Sequence, residues 1–125
     1  MSEGKKFDQG KAPLFQGCLQ YFPRALMCVA NVSAYGAKKY DVPFSDKNWS
    51  RLDDAFNRYT DGLARHLTLE GVSERDDESG LLHAAHAAWN ALARLELLLN
   101  SMDEPVVITT SACYPRTIER YRNDA

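Results

Sequence analysis

The sequence predicts an all-α protein: a helical bundle of about three main helices, followed by a short C-terminal extended segment and a small helix. Three observations predict it. Apolar residues recur at helical spacing in two stretches, and a third, LLHAAHAAWNALARLELLLN, is apolar nearly all round. The segments between them are rich in the Pro, Gly, Asp, Ser and Asn residues of irregular connections. With 125 residues, of which 45% are hydrophobic and 26% charged, the chain has the length and composition of one ordinary globular domain, 1–125, and not those of a fibre or a disordered segment.

Residues 1–20 form an N-terminal arm, loop-like in composition, expected to pack through Phe7, Leu14 and Phe15. Pro23 suits a first helical turn, where its missing N–H would have no partner anyway, and Ala25, Leu26, Val29, Ala30 and Val32 keep helical spacing, so helix one is placed at about 22–40. A connection with Pro43 follows. Ser50 and Asp53 approximate a capping box for helix two, which runs to about Glu70, with Gly71 able to supply a left-handed cap. Leu52, Ala55, Phe56, Tyr59, Leu63 and Leu67 share one face of it with His66 and Glu70, while Asp54, Arg58, Asp61 and Arg65 form a solvated stripe.

VSERDDESG reads as a polar connection, with Ser79 as the N-cap of helix three, about 80–100. So apolar a helix is central in a core or shared with a partner subunit, which makes a homo-oligomer the expectation. In the tail, residues 101–125, the β-favouring run VVITT must find a partner strand, and Pro115 opens a possible short helix through Arg122.

The balance of charge and sulfur narrows the function. A net charge of −2 lacks the basic excess that binds a phosphate backbone, so duplex nucleic acid is not the expected partner. No apolar run approaches the ~20 residues of a membrane span, and the N-terminus is polar rather than signal-like; a membrane partner is therefore not expected, and the cytoplasm is the expected compartment. Cys18, Cys28 and Cys113, odd in number and without a CxxC pair, read as reduced thiols.

The chemistry concentrates in three histidines. Spacings of three, four and four place His83, His86, Asn90 and Arg94 on one stripe of helix three, and the short link to helix two favours antiparallel packing that brings His66 toward them. Asp76, Asp77 and Glu78 lie next to them in sequence. Imidazoles and carboxylates together can bind a divalent metal or move protons. Lys38 and Lys39, with Arg65 at the edge and the amide and indole of Asn48 and Trp49, are candidates to hold a nucleotide.

The segments GAKKY (36–40), NW (48–49), ARH (64–66) and DESGLLHAAHAAWNAL (77–92), preceded by FDQGKAPL (7–14), resemble the phage and bacterial dATP/dGTP diphosphohydrolase family over roughly residues 7–98. That family is grouped with the MazG-like all-α pyrophosphohydrolases, which use a divalent metal to cleave a nucleoside triphosphate into monophosphate and pyrophosphate. The resemblance implies a purine nucleotide partner, Mg²⁺ or Mn²⁺ as cofactor and, for a phage-encoded member, the host cytoplasm. The EExxE and ExxD carboxylates of better-known MazG-like enzymes are missing. The motif-matching residues are instead His66, Glu78, His83 and His86, with Asn90 beyond them. On this reading Glu78 and His66 are catalytic, and His83, His86, Glu78 and Asp77 hold the metal. Lys38, Lys39, Asn48, Trp49, Arg65 and Asn90 hold the substrate. The rival reading is a non-catalytic phage protein that sequesters a nucleotide or a nucleotide-derived signal.

Overall fold

The computed structural model describes residues 3–6, 11–102, 106–108 and 119–121. The chain divides into two compact units, residues 22–101 and residues 1–21 with 102–125. In the larger unit, α1 spans Pro23–Tyr40, α2 spans Ala55–Glu70 and α3 spans His83–Ser101, with 3₁₀ turns at Phe44–Asp46 and Asn48–Arg51 between the first two. α3 lies against both other helices. Side-chain pairs run in opposite order along α2 and α3: His66 with His83, Gly62 beside Asn90, and Thr60 with Arg94. The two helices are therefore antiparallel, as the short connection implied.

α1 begins with Pro23 in its first turn and ends at Asp41, whose left-handed backbone lets its N–H reach back to the last carbonyls. The two later boundaries differ from expectation. No Ser50/Asp53 capping box forms, because Asn48–Arg51 is a separate 3₁₀ turn in which Ser50 Oγ donates to the Lys47 carbonyl at 2.7 Å. Packing of Trp49 against Tyr59 and Trp89 accounts for that turn, and α2 starts only after Asp54, which sits at φ 53°. Gly71 does not turn left-handed; it stays at φ −68°, and the glycine at positive φ is Gly80. Ser79 lies four residues before His83, and its hydroxyl bonds to a histidine ring rather than capping α3.

The face that α2 buries is also narrower than the apolar stripe. Ala55 and Gly62 are buried and Tyr59, Leu63 and His66 half-buried, whereas Phe56, Leu67 and Glu70 are exposed. Gly62 explains the shift: a Cβ there would lie 2.5 Å from Asn90 Oδ1, so the line of closest approach to α3 runs through that glycine. On α3 the small residues Ala85, Ala87 and Ala93 are buried together with His83, His86 and Asn90.

In the other unit, Phe15–Leu19 is a π-helical turn within a segment that reads as loop, held by Gly17 N–H donating to the Pro13 carbonyl and Gln20 N–H to that of Phe15. Leu14 and Phe15, expected to anchor the arm, are exposed, and Phe7 lies outside the described residues. Strand β1, Val106–Ile108, pairs antiparallel with β2, Glu119–Tyr121. The β-favouring run thus finds its partner in its own chain, over residues that had suggested a short helix. Cys18 and Cys28 are free thiols, and Cys113 lies outside the described residues. No helix among the described residues is long and apolar enough to cross a membrane.

Candidate functional site

The connection 71–82 folds back on itself to deliver side chains to the start of α3. Arg75 bridges to Leu82, the Asp76 N–H donates to the Leu81 carbonyl at 2.8 Å, and the His83 N–H donates to the Glu74 carbonyl at 2.9 Å. Gly80, at φ 75°, allows the reversal, and the Arg75 guanidinium ties it by donating to the Gly80 carbonyl. Within this loop Asp76 Oδ2 accepts from the Ser79 N–H at 2.8 Å.

All three histidines meet there. His66 Nδ1 and His83 Nδ1 are 2.9 Å apart, and the His66 and His86 rings stack at 4.5 Å with an interplanar angle of 8°. One ligand atom each from His66, Asp76 and His83 fall within 4.8 Å of one another. Such closeness of two ring nitrogens requires either a shared proton or a shared cation, since two lone pairs would repel; nitrogens on adjacent positions of one ion, each at ~2.1 Å, stand ~3 Å apart. His86 is fixed from its far side, with Ser79 Oγ 2.7 Å from its Nε2 and Tyr35 edge-on at 6.2 Å.

The electrostatics favour the neutral form of His66 and His86. Burial, then the neighbouring His86 and His83, pushes His66 below its ordinary value, with Asp76 pulling the other way. Burial also lowers His86 against the opposing charge of Asp76. For Asp76, burial pushes the carboxyl up, but hydrogen bonds from the Ser79 backbone and hydroxyl and the pull of His86 and His66 outweigh it, so it lies below its usual range. A neutral His66 beside an ionised Asp76 is the protonation state that a cation site needs.

The remaining candidates separate into groups. Glu78 does not join the histidine cluster's ligand atoms; it accepts an ion pair from Lys39 at 2.6 Å, and hydrogen bonds from Lys39 and then Tyr35 hold its carboxyl below the usual range. That same bond raises Lys39. Asp77 is exposed, and the carboxylate that reaches the imidazoles is Asp76, because the reversal at 76–81 turns that one residue inward. Lys38 and Arg65 are exposed. Asn90 is buried in the α2–α3 seam, donating to the His86 carbonyl at 2.8 Å, and Arg94 donates to Thr60 Oγ1 there. Asn48 and Trp49 are half-buried, and Trp49 belongs to an aromatic cluster in which the Tyr59 hydroxyl donates to the Trp49 carbonyl at 2.6 Å. Burial raises that phenol to about 12. Sequence reasoning missed Ser79 and Tyr35 as partners of His86; a polar residue seven positions before a histidine carries no periodic signal when a loop lies between.

The sequence model of one family, described as dATP/dGTP diphosphohydrolase, N-terminal, matches residues 1–105. The chain belongs to this family. Over 98 residues, 78% of its length, it is 44% identical to a protein of Salmonella phage PMBT28 named dATP/dGTP diphosphohydrolase. The match covers 30% of that relative's own length, in keeping with a family defined by an N-terminal region. No solved structure matches the chain. All the residues that build the histidine cluster of this dATP/dGTP diphosphohydrolase family member, His66, Asp76, Ser79, His83 and His86, lie within the part matched by the family.

Proposed function

We propose that this chain takes part in the hydrolysis of dATP and dGTP to monophosphate and pyrophosphate, with a divalent metal held by His66, Asp76 and His83. The observation that carries the reading is the convergence of these three ligand atoms within 4.8 Å, in a chain of a family described by that substrate pair. Two imidazoles and one carboxylate suit Mn²⁺ better than Mg²⁺, which prefers oxygen ligands, so Mn²⁺ is placed first. A bound ion of this kind polarises a phosphate oxygen and lowers the pKa of water.

The chain's own residues would supply the rest. His86, kept neutral by burial and fixed by Ser79, holds the stacked His66 ring in place. Glu78 stays ionised and can accept a hydrogen bond from the attacking water, while Lys38, Lys39 and Arg65 offer positive charge to the phosphates. Asn48 and Trp49 present an amide and a ring to the nucleoside. A second copy of the chain belongs to the same reading, since Leu92, Leu95 and Leu98 of α3 are 48%, 50% and 46% exposed; light scattering that finds only monomer over a wide concentration range removes it.

The deciding experiment incubates the protein with dATP, dGTP, ATP and GTP plus Mn²⁺ or Mg²⁺ and assays monophosphate and pyrophosphate. Turnover of the deoxypurine nucleotides, faster with Mn²⁺, is the expected result. Tight nucleotide binding without products under either metal replaces hydrolysis by sequestration.

A further inference from the structure

Close to the histidines, α1 and α3 border an open-sided cavity of about 240 Å³. Its apolar lining residues include Val29, Leu92, Trp49 and Trp89, and its polar lining residues are Ser33 and Glu96. The volume falls below the ~300–1,000 Å³ of sites that enclose a drug-sized ligand, so it suits one flat ring system rather than a whole nucleotide. The two indoles are 6.1 Å apart at 78°, which offers a ring face and a ring edge to an aromatic guest.

The polar groups are placed for recognition. Trp89 Nε1 donates to Ser33 Oγ at 2.9 Å, so that hydroxyl has accepted its bond and keeps a proton to donate. Glu96 is exposed and takes part in no ion pair among the described residues. Along α3, Trp89 lies ~4.5 Å and Glu96 ~15 Å beyond His86, from a helical rise of ~1.5 Å per residue. Along the helix axis, the interval from Trp89 to His86 is short enough for a deoxyribose and its first phosphate to span.

We infer that this cavity receives the purine base of the nucleotide and that Glu96 reads it as guanine. A carboxylate only accepts hydrogen bonds, and guanine presents two adjacent donors, N1–H and the N2 amino group. Adenine presents the N1 lone pair at the same edge, which the carboxylate repels. A site built to bond such donors discriminates strongly against a base that lacks them. The inference rests on the purine-nucleotide reading above and adds its base subsite and preference.

Trp49 and Trp89 are the two tryptophans of the chain, so its indole fluorescence reports on this cavity. The full chain is titrated with dGMP, dAMP and dCMP without added metal. The expected result is saturable quenching by the purines, with dGMP acting at a roughly tenfold lower concentration than dAMP and dCMP weakest. In Glu96→Gln, at an exposed position that the fold does not need, the amide can donate to adenine N1 and accept from its N6 amino group, so the preference inverts. Absence of saturable quenching, equal quenching by all three, or an unchanged dGMP preference in Glu96→Gln overturns the base subsite. These failures are separable from failure of the hydrolysis reading: turnover without discrimination removes only the subsite, whereas discrimination without turnover under either metal removes only hydrolysis.

Discussion

The two seams of α3 are built in opposite ways. Against α2 the contact is close and polar: Asn90 fills the space beside Gly62, Arg94 bonds Thr60, and the histidines meet at the far end. Against α1 the contact is aromatic and incomplete, with Trp89 bonded to Ser33 and a cavity left beside it. The difference shows how one missing side chain sets the character of an interface. Where α2 offers a glycine, α3 can bury polar groups that find their partners inside; where the partners are indoles, bulk keeps a gap open to solvent.

The largest expected effect breaks the close seam. Gly62→Val forces branched carbon into the space of Asn90 Oδ1, which a single Cβ would already approach to 2.5 Å. Overpacking of this kind should cost about 3 kcal/mol, read as a lower urea midpoint. Adding Asn90→Ala to that variant should return part of the loss. A Gly62→Val protein as stable as the parent would show that the helices are not in close contact there.

Removal of a ligand comes next. Asp76→Ala should weaken Mn²⁺ binding by at least about tenfold, whereas Asp77→Ala should leave it within about twofold. Calorimetric titration separates the two, and equal losses in both variants would return the site to an undirected acidic run.

Burial of the rings sets the sign of the pH dependence of stability. His66 and His86 titrate below the ordinary 6.5 when folded, so the unfolded chain takes up protons first as pH falls. Metal-free protein should therefore lose stability on acidification from about pH 6.5 downward, the histidine contribution being exhausted below their folded values. Asp76, also lowered, adds a second loss as pH falls through its ordinary 3.8 toward its folded value. A melting temperature that stays flat or rises between about pH 7.5 and about pH 5 would contradict desolvation of the rings.

The smallest effect belongs to the aromatic seam. Trp89→Phe removes the hydrogen bond to Ser33 and part of the ring contact with Tyr59, whose centroid lies 5.3 Å away. Because the cavity already admits solvent, the loss should be only about 1 kcal/mol, measured by the same denaturation.

Helix existence was legible because it depends on period and composition: the spacing that defines α1, α2 and α3 is local, and their observed spans agree with it to within a few residues except at the start of α2. That start moved because Trp49 packs on Tyr59 and Trp89, contacts that no capping signal encodes. The meeting of His66, His83 and His86 was also legible, since helical spacing and a short antiparallel connection together place them at one end of one seam. Which carboxylate joins them was not. Asp76, Asp77 and Glu78 are consecutive and chemically alike, and only the reversal through Gly80 and the hydrogen bond from Ser79 turn Asp76 inward while Glu78 goes to Lys39. Sequence alone determined the helices and the histidine cluster, because both follow from repeats that one chain can display. The carboxylate partner, the glycine-centred seam and the aromatic cavity were decided by tertiary structure, because each depends on how far apart two elements stand, and that distance is set by side chains on both.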